Sequence, residues 1–330
     1  MVLSATLKIS VIVCAYTEAR WNDLLGAVES VQKQTMSPLE IIVVIDHNPA
    51  LFQRVKKDIK GVLLLENLEA QGLSGARNSG IAVAQGDLIA FMDEDASADP
   101  TWLESLFGAY DDPTVMGVGG MISPLWLVGQ PSWFPDEFNW VVGCTYRGVS
   151  ELPAQVRNLI GCNMSLRRDV FLSIGPFRSG IGRISTLPYG CEETELCIRA
   201  NQRFPDRKFI YLPSARVTHR VPAQRGQFQY FRARCYAEGL SKALVTRLVG
   251  GSDGLSSERT YTFRTLPAGI VRGIWDAIRH HDLSGLGRAG AIIAGLAFTT
   301  FGYLAGKISM LKLGDQSTNE TAKQNDNLAT

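Results

Sequence analysis

The chain has 330 residues, of which 45% are apolar and 20% are charged. This composition is typical of globular proteins and excludes a wholly disordered chain. The net charge of +1 conceals an asymmetry: residues 1–198 hold 14 Lys/Arg against 23 Asp/Glu, whereas residues 199–312 hold 18 against 6. The basic second part predicts contact with an anionic surface.

The six cysteines form no C-x-x-C pair, and the chain has only four histidines. Both observations disfavour a zinc site and a disulfide framework, so we expect reduced thiols. The N-terminal segment lacks a basic stretch followed by a long apolar run, which predicts that the catalytic part stays in the cytoplasm.

The first 120 residues alternate short apolar runs with segments of helical periodicity. The apolar runs predict strands at 9–15, 40–46, 62–66 and 88–93. The segments between them predict helices at 21–34, 50–57 and 74–84. This alternation is typical of a parallel sheet covered on both faces, in which ligands bind at the carboxyl ends of the strands.

Beyond residue 120 the pattern is weaker. Residues 121–190 are rich in Gly, Pro and Trp and predict a loop-rich insertion with short strands. Helices are predicted at 192–203, 228–248 and 266–279, and a strand is predicted at 208–212. Residues 289–306 contain no charged side chain, and the polar tail 313–330 is predicted to be disordered.

Three consecutive carboxylates, Asp93, Glu94 and Asp95, end the fourth predicted strand. Carboxylates this close repel one another unless a cation lies among them, and their hard oxygens suit Mg²⁺ or Mn²⁺ bound to a diphosphate. A solvated acidic loop before the predicted helix 100–110 is the alternative. The chain has no G-x-G-x-x-G after its first strand and no G-x-x-x-x-G-K-[ST], which disfavours an NAD enzyme and a P-loop ATPase.

The order of these segments resembles the family 2 glycosyltransferases, which have the GT-A fold. The matching segments are K-I-S-V-I-V-C-A-Y-T-E-A-R, E-I-I-V-V-I-D, G-L-S-G-A-R-N-S-G and D-E-D. The resemblance implies an α/β fold with a mostly parallel, Rossmann-like sheet. It assigns the nucleotide site to Ala15, Tyr16, Glu18, Asp46, Arg77, Asp93 and Glu94. It assigns Mn²⁺ or Mg²⁺, together with the diphosphate, to Asp93 and Asp95.

The turn after the second predicted strand departs from the family, because Asp46-His47-Asn48 stands where many members carry D-D-G-S. Asp46 could therefore shape the turn rather than contact the nucleoside. Arg77 could likewise form an ordinary ion pair on a helix surface.

The segment C-E-E-T-E-L-C-I-R at 191–199 resembles the start of the family's helix E-D-x-D-L-x-x-R. An inverting transfer needs a carboxylate that takes the proton from the acceptor hydroxyl, and neighbouring carboxylates raise the pKa of such a base. The resemblance assigns this role to Glu193, with Glu192 as the second candidate. Acidic residues favoured by the dipole at a helix N-terminus are the alternative explanation.

Two further segments resemble parts of the family site. In R-N-L-I-G-C-N-M, the resemblance places Gly161 and Asn163 in the donor-sugar pocket, although a buried strand with a polar turn is the alternative. His219 lies where a late histidine often completes the metal site, but a single histidine is more often structural.

The segment 130–140 is dense in aromatic residues and contains Trp133 and Trp140, which could stack on a sugar. A hydrophobic cluster that holds a loop is the alternative. The order of W-F-P-x-x-F-x-W, V-G-C-T-Y-R-G and R-N-L-I-G-C-N-M resembles a narrower group, the archaeal glucosyl-dolichyl-phosphate glucuronosyltransferases and similar bacterial enzymes. This resemblance implies a lipid-linked saccharide acceptor.

The C-terminal region has features of a membrane-binding segment. An apolar stripe along 266–279, typical of an interfacial helix, is formed by Ile270, Val271, Ile274, Trp275 and Ile278, and a core-facing helix is the alternative. The uncharged segment 289–306 is just long enough to span a bilayer, but its glycines also suit close helix packing, and a re-entrant or interfacial hairpin is the alternative. With the basic charge of residues 199–312, we expect a membrane surface as partner and no nucleic acid.

Together these features predict a metal-dependent inverting glycosyltransferase. It would move a sugar from a UDP-sugar to a lipid-linked acceptor at the cytoplasmic face of the membrane, peripherally or anchored through 289–306. We expect a nucleotide-sugar half at 1–120, an acceptor and catalytic half at 121–225, a membrane-associating helical region at 226–312 and a tail at 313–330. The alternatives are an inactive membrane-anchored scaffold and a sugar-1-phosphate nucleotidyltransferase, although the latter's glycine-rich loop is absent after the first strand.

Overall fold

The first half of the chain forms a parallel sheet. A computed structural model describes residues 7–182, 190–250 and 258–326, with side chains as far as Ser309 in the last helix. The parallel strands are β1 (Ile9–Ala15), β2 (Glu40–Ile45), β3 (Leu63–Glu66) and β4 (Leu88–Asp93), in the order β3-β2-β1-β4. They are connected by α1 (Trp21–Gln32), α2 (Pro49–Asp58) and α3 (Leu73–Val83). The predicted alternation is confirmed, and the carboxyl ends of β1, β2 and β4 meet at one edge.

The second half of the sheet is mixed. Its strands are β5 (Ala96–Ala98), β6 (Val115–Trp126), β7 (Ala154–Val156), β8 (Asn163–Arg167) and β9 (Lys208–Val221). Strand β8 is antiparallel to β4 and β6, β6 is parallel to β9, and β5 and β7 pair with β9 in antiparallel fashion. The segment predicted to be loop-rich with short strands thus contains a central strand, β8, in keeping with the alternative of a buried strand at this position.

Strand β9 continues beyond its predicted end at residue 212. Proline lacks an N–H group for the pairing of strands, so Pro213 requires an irregularity within the strand. The pairing of β6 with β9 shifts register between Gly120 and Met121, opposite this point, and the irregularity accommodates the proline. The continued strand carries His219, which pairs with Ala96 of β5 just after the acidic triplet.

Buried apolar side chains fill both faces of the sheet. Successive residues of a strand point to opposite faces, so Val11 and Val13 belong to one core and Ile12 to the other. Helices α4 (Trp102–Gly108), α5 (Arg168–Ile174) and α6 (Glu192–Arg203) complete this part of the chain. Coverage of the sheet on both faces is as predicted.

Among the described residues, three long helices follow the sheet: α7 (Phe228–Val249), α8 (Leu266–Arg279) and α9 (Ser284–Asp326). Helix α9 lies against α7 at very short range, since a Cβ atom on Gly302 would lie 2.0 Å from the Tyr236 carbonyl oxygen. By length and composition, Ser284–Ser309 is the one segment within the described residues that could cross a membrane. The predicted disorder of the tail stays a prediction, although backbone helix extends to Asp326.

Replacing Gly302 with Ala is expected to lower the melting temperature, because the added methyl group would force α9 away from α7. Gly290 on the same helix has no atom within 4 Å of an added Cβ, so Gly290→Ala provides a matched control. That control should be neutral or slightly stabilising, because alanine favours helix over glycine by about 1 kcal/mol. Thermal unfolding of both variants measures the difference, and equal melting temperatures would contradict the close packing.

Candidate active site

The turn after β2 is held together by Asp46. One oxygen of its carboxylate accepts a hydrogen bond from the Gly72 amide at 2.9 Å, and the other accepts one from Asn67 Nδ2 at 2.6 Å. Its backbone N–H donates to the Ala15 carbonyl at 2.8 Å. Asp46 therefore joins the ends of β1 and β2 to the start of α3, in keeping with the turn-forming alternative. A contact with a nucleoside stays a prediction.

The three carboxylates of the acidic triplet have different partners. Glu94 accepts hydrogen bonds from Arg20 at 3.0 Å and from the Tyr16 amide at 3.2 Å. Burial raises the pKa of Glu94 to about 8, although Arg20 opposes the shift. Asp93 has the most accessible carboxylate of the three and lies 3.4 Å from Arg77. The three carboxylates therefore have different environments. Asp93 is the one of the three whose carboxylate is accessible, whereas those of Glu94 and Asp95 are buried.

Asp95 is buried among cations. Its Oδ1 lies 3.1 Å from His219 Nε2, and its Oδ2 lies 3.2 Å from both Arg225 and Arg20. Burial alone would raise the pKa of Asp95, but His219, Arg225 and Arg20 together hold it well below its usual range. Asp95 is therefore an ionised carboxylate at neutral pH.

Asp93, Cys162 and His219 form a group of possible metal ligands, with their ligand atoms all within 4.8 Å of one another. A carboxylate and an imidazole can bind Mn²⁺ or Mg²⁺, whereas burial and Asp93 raise the pKa of the Cys162 thiol and disfavour the thiolate form. Asp95 Oδ1 and His219 Nε2, 3.1 Å apart, have the separation of adjacent ligands in an octahedral site, about 3 Å. Asp93 and His219 thus have the oxygen and nitrogen donors and the proximity that a divalent cation requires, and Asp95 lies directly against His219.

Arg77 connects the two halves of the site. Its buried guanidinium donates to Glu192 Oε1 at 2.9 Å, to the Gly161 carbonyl at 3.2 Å and to Asp93 Oδ1 at 3.4 Å. A Cβ atom on Gly161 would lie 2.7 Å from this guanidinium, so glycine makes room for Arg77. The arginine holds α6 against the end of β4.

Glu193 follows Glu192 at the start of α6 but has a different environment. No ion pair of its carboxylate occurs among the described residues. Burial and the neighbouring Glu192 raise its pKa well above the usual range, although Arg77 opposes the shift. A half-buried carboxylate with a raised pKa is suited to accept a proton near neutral pH.

A cavity of about 620 Å³ opens between the strand ends and helices α7 and α9. The predicted site residues that line it are Arg77, Asp93, Trp140, Gly161, Glu192, Glu193 and His219. Trp140 donates a hydrogen bond from Nε1 to the Tyr261 hydroxyl at 2.9 Å, on the wall that leads to α9. The candidate base Glu193 and Asp93 therefore line the same cavity.

Other predicted site residues lie outside this lining. Ala15, Tyr16, Asp46, Glu94 and Asp95 lie at the adjoining strand ends, and Glu18 is exposed in the 3₁₀ helix Glu18–Arg20. Trp133 packs among Phe134, Phe228 and Phe231, which fits the alternative of a hydrophobic cluster.

Asn163 is wholly buried and does not reach the cavity. Its Oδ1 accepts a hydrogen bond from Trp102 Nε1 at 2.8 Å, while its Nδ2 donates to the carbonyls of Met121 at 3.0 Å and Ala215 at 2.9 Å. The amide joins β8, β6 and β9 and is buried away from the cavity, so it does not contact a sugar bound there. The expectation of a sugar contact is corrected: the alternative of a buried strand applies here.

Sequence reasoning missed Arg20, Cys162, Arg225 and Tyr261. Arg20 directly follows the motif A-Y-T-E-A, and Cys162 stands inside R-N-L-I-G-C-N-M, so both had a local signal. Arg225 and Tyr261 had none, because only the folded chain brings them to residues more than 100 positions away, Asp95 and Trp140 respectively.

Comparison with known proteins defines the class. The sequence profile of glycosyl transferase family 2 matches residues 10–175. The chain therefore belongs to glycosyl transferase family 2, and its fold is the GT-A fold of that family, as predicted.

One relative matches almost end to end. Glucosyl-dolichyl phosphate glucuronosyltransferase of Haloferax volcanii is 34% identical over 307 residues, which cover 92% of this chain and 97% of the relative. The resemblance to that narrower group is thus confirmed.

Two solved structures share the fold. The mannosyltransferase PcManGT of Pyrobaculum calidifontis, in complex with GDP-Man and Mn²⁺, superposes with a TM-score of 0.55 at 17% identity, covering 90% of this chain and 88% of that one. GalNAc-T7 with UDP, GalNAc and Mn²⁺ gives a TM-score of 0.51 at 18% identity, covering 73% of this chain and 51% of that one. At these identities the likeness shows the fold alone.

Proposed function

We propose that this glycosyltransferase is a divalent-metal-dependent, inverting enzyme that transfers a sugar from a UDP-sugar to a lipid-linked saccharide. The observation that carries the proposal is that Glu193 and Asp93 line one cavity, in which Arg77 pairs with Asp93 and with Glu192, the residue before Glu193. The near end-to-end match to a glucosyl-dolichyl phosphate glucuronosyltransferase supports a glycosylated polyprenyl phosphate as acceptor and a glucuronosyl donor as the first to test.

In this reaction Glu193 is the general base. The acceptor hydroxyl attacks C1 of the donor sugar, its proton passes to Glu193, and the bond from C1 to the diphosphate oxygen breaks with its electron pair leaving on the UDP. The Glu192 carboxylate forms an ion pair with Arg77 at 2.9 Å. Because this pair occupies Glu192, Glu193 is the better candidate for the base. Attack from the side opposite the leaving group inverts the configuration at C1.

Asp93, Asp95 and His219 would hold the Mn²⁺ or Mg²⁺. The cation, when bound, supplies positive charge that neutralises the diphosphate as it leaves. Tyr16, Asp46 and Glu94 would contact the nucleotide. They lie at the adjoining strand ends, where ligands bind in such sheets.

Membrane association is proposed for the C-terminal helices. Helix α8 exposes Val271, Trp275 and Ile278, and α9 exposes Ile293 and Phe301. A Trp among aliphatic side chains, flanked by arginines, is typical of an interfacial helix. Because α9 packs closely on α7, we favour peripheral attachment over a membrane span, and the proposed face is the cytoplasmic one.

Removal of divalent metal is expected to abolish transfer, and added Mn²⁺ or Mg²⁺ should restore it. Asp95→Asn should lower transfer by about 10²-fold or more, because it removes a charge that the cation needs. Asp58→Asn, an exposed change on α2, serves as the control. Full activity of Asp95→Asn, or of the chelated enzyme, would contradict the metal assignment.

The function itself is tested by two measurements. Calorimetric titration with UDP-glucuronate, other UDP-sugars and GDP-sugars, with and without Mn²⁺, identifies the donor. Radiolabel transfer to glucosyl prenyl phosphate then tests the acceptor. Metal-dependent nucleotide binding without turnover on any acceptor would instead support the scaffold, and release of pyrophosphate from a nucleoside triphosphate would support the nucleotidyltransferase.

A further inference from the structure

One end of the cavity is basic. Arg234 and Lys242 lie two turns apart on the same face of α7, each 3.5 Å from Glu238, which lies between them. Arg259, just before α8, lines the same space. Among the described residues, these three cations outnumber the one carboxylate between them, and an excess of positive charge attracts an anion.

This basic end lies next to the proposed base. The Cys191 thiol contacts Glu238 at 3.3 Å, two residues before Glu193. A Cβ atom on Gly190 would lie 3.4 Å from the Arg234 guanidinium, so glycine permits α7 to approach the start of α6. An anion held by Arg234 and Lys242 would therefore be close to the hydroxyl that Glu193 deprotonates.

Another wall of the cavity is formed by hydrophobic and hydroxyl side chains and leads to the outside of α9. Leu296, Thr299, Thr300 and Tyr303 line the cavity from α9, and Phe263 joins them from the segment before α8. Their spacing of three and four residues places them on one side of the helix. Leu296 and Phe263 are exposed as well as lining, so the cavity opens here beside the apolar surface of α8 and α9.

From this arrangement we infer that the cavity end between α7 and α9 is the binding site for the phosphate and first apolar units of a glycosyl phospho-prenyl acceptor. The inference rests on the proposed glycosyl transfer. In such an acceptor with a single sugar, the phosphate and the reacting hydroxyl belong to the same ring. The sugar would bridge Glu193 and the cations, and the prenyl chain would leave through the opening towards the membrane.

The test compares two acceptors that share glucose and a C10 prenyl chain: glucosyl prenyl phosphate and the corresponding prenyl glucoside without phosphate. The variant is Lys242→Gln combined with Arg259→Gln, and Arg247→Gln, an exposed change on α7, is the control. We expect the variant to raise KM for the phosphate acceptor about 10- to 100-fold, the loss typical of charged hydrogen bonds. KM for the prenyl glucoside, KM for the UDP-sugar and the melting temperature should change little.

The other outcomes overturn the inference in distinguishable ways. An unchanged preference for the phosphate acceptor would show that the cations do not bind its phosphate. A raised KM for the donor would assign them to the donor instead. If the variant no longer sediments with phosphatidylglycerol vesicles but its KM for the acceptor is unchanged, the cations bind phospholipid headgroups. If the wild-type protein glycosylates neither acceptor and does not hydrolyse the donor, the proposed function fails, independently of the cation site.

Discussion

Transfer is expected to fall by about 10²- to 10⁴-fold when Glu193 is replaced by Gln, the contribution typical of a general base. The glutamine keeps the shape of the side chain but cannot accept the proton. Nucleotide binding should be retained, because Glu193 lies in the cavity rather than at the ends of β1 and β2. Initial rates and calorimetric titration with UDP measure the two effects separately, and full activity of the variant would refute the assignment.

The pH dependence of transfer provides an independent check. Burial and Glu192 raise the pKa of Glu193, so the base loses activity on acidification at a higher pH than an ordinary glutamate would. Transfer should therefore increase with pH through this raised pKa and reach a plateau above it. A profile with its acidic midpoint near 4.5 would show that Glu193 is not the titrating base.

The same shift makes a prediction for stability. A carboxyl group whose pKa is raised by folding stabilises the native state below its unfolded pKa, and this contribution is lost as the pH rises through the folded pKa. At neutral pH the uncharged glutamine of Glu193→Gln should thus raise the melting temperature. Glu192→Gln should lower it, because that change removes the partner of Arg77. Opposite shifts in adjacent residues would distinguish the base from the positioning residue.

Replacement of Arg77 by Met is expected to cost about 3–5 kcal/mol of unfolding free energy, the loss seen when one partner of a buried ion pair is removed. The change leaves the buried carboxylate of Glu192 without its cation, and it also removes the cation beside Asp93. Chemical denaturation measures the loss, with Arg232→Met on the exposed side of α7 as the matched control. An effect no larger than that of the control would contradict the role of Arg77.

A double variant separates the two contributions of Arg77. Glu192→Gln should recover part of the stability lost in Arg77→Met, because the neutral amide no longer needs the guanidinium. Transfer should stay low, since α6 would lose its link to β4 and Glu193 its position. Additive stability losses would show that the two side chains act independently.

Local patterns were sufficient to predict a large part of this protein. The βαβ alternation, the acidic triplet at the end of β4 and the paired glutamates at the start of α6 are all determined by residues close in sequence. The same holds for the apolar stripe of α8. Strand and helix periodicity reflects burial of one face or both, so neighbouring residues carry the signal.

Which side chains lie together at the site was decided by the tertiary structure alone. Asn163 and Trp133 lie in sequence segments that predict a pocket. In the structure the amide of Asn163 is hydrogen-bonded within the sheet region, and the ring of Trp133 packs in an aromatic cluster. Arg225 and His219 reach Asp95 only because β9 continues past a proline to pair with β5. Such contacts join residues far apart in the chain, and their energy comes from burial and charge pairing in the folded state, which no local pattern encodes.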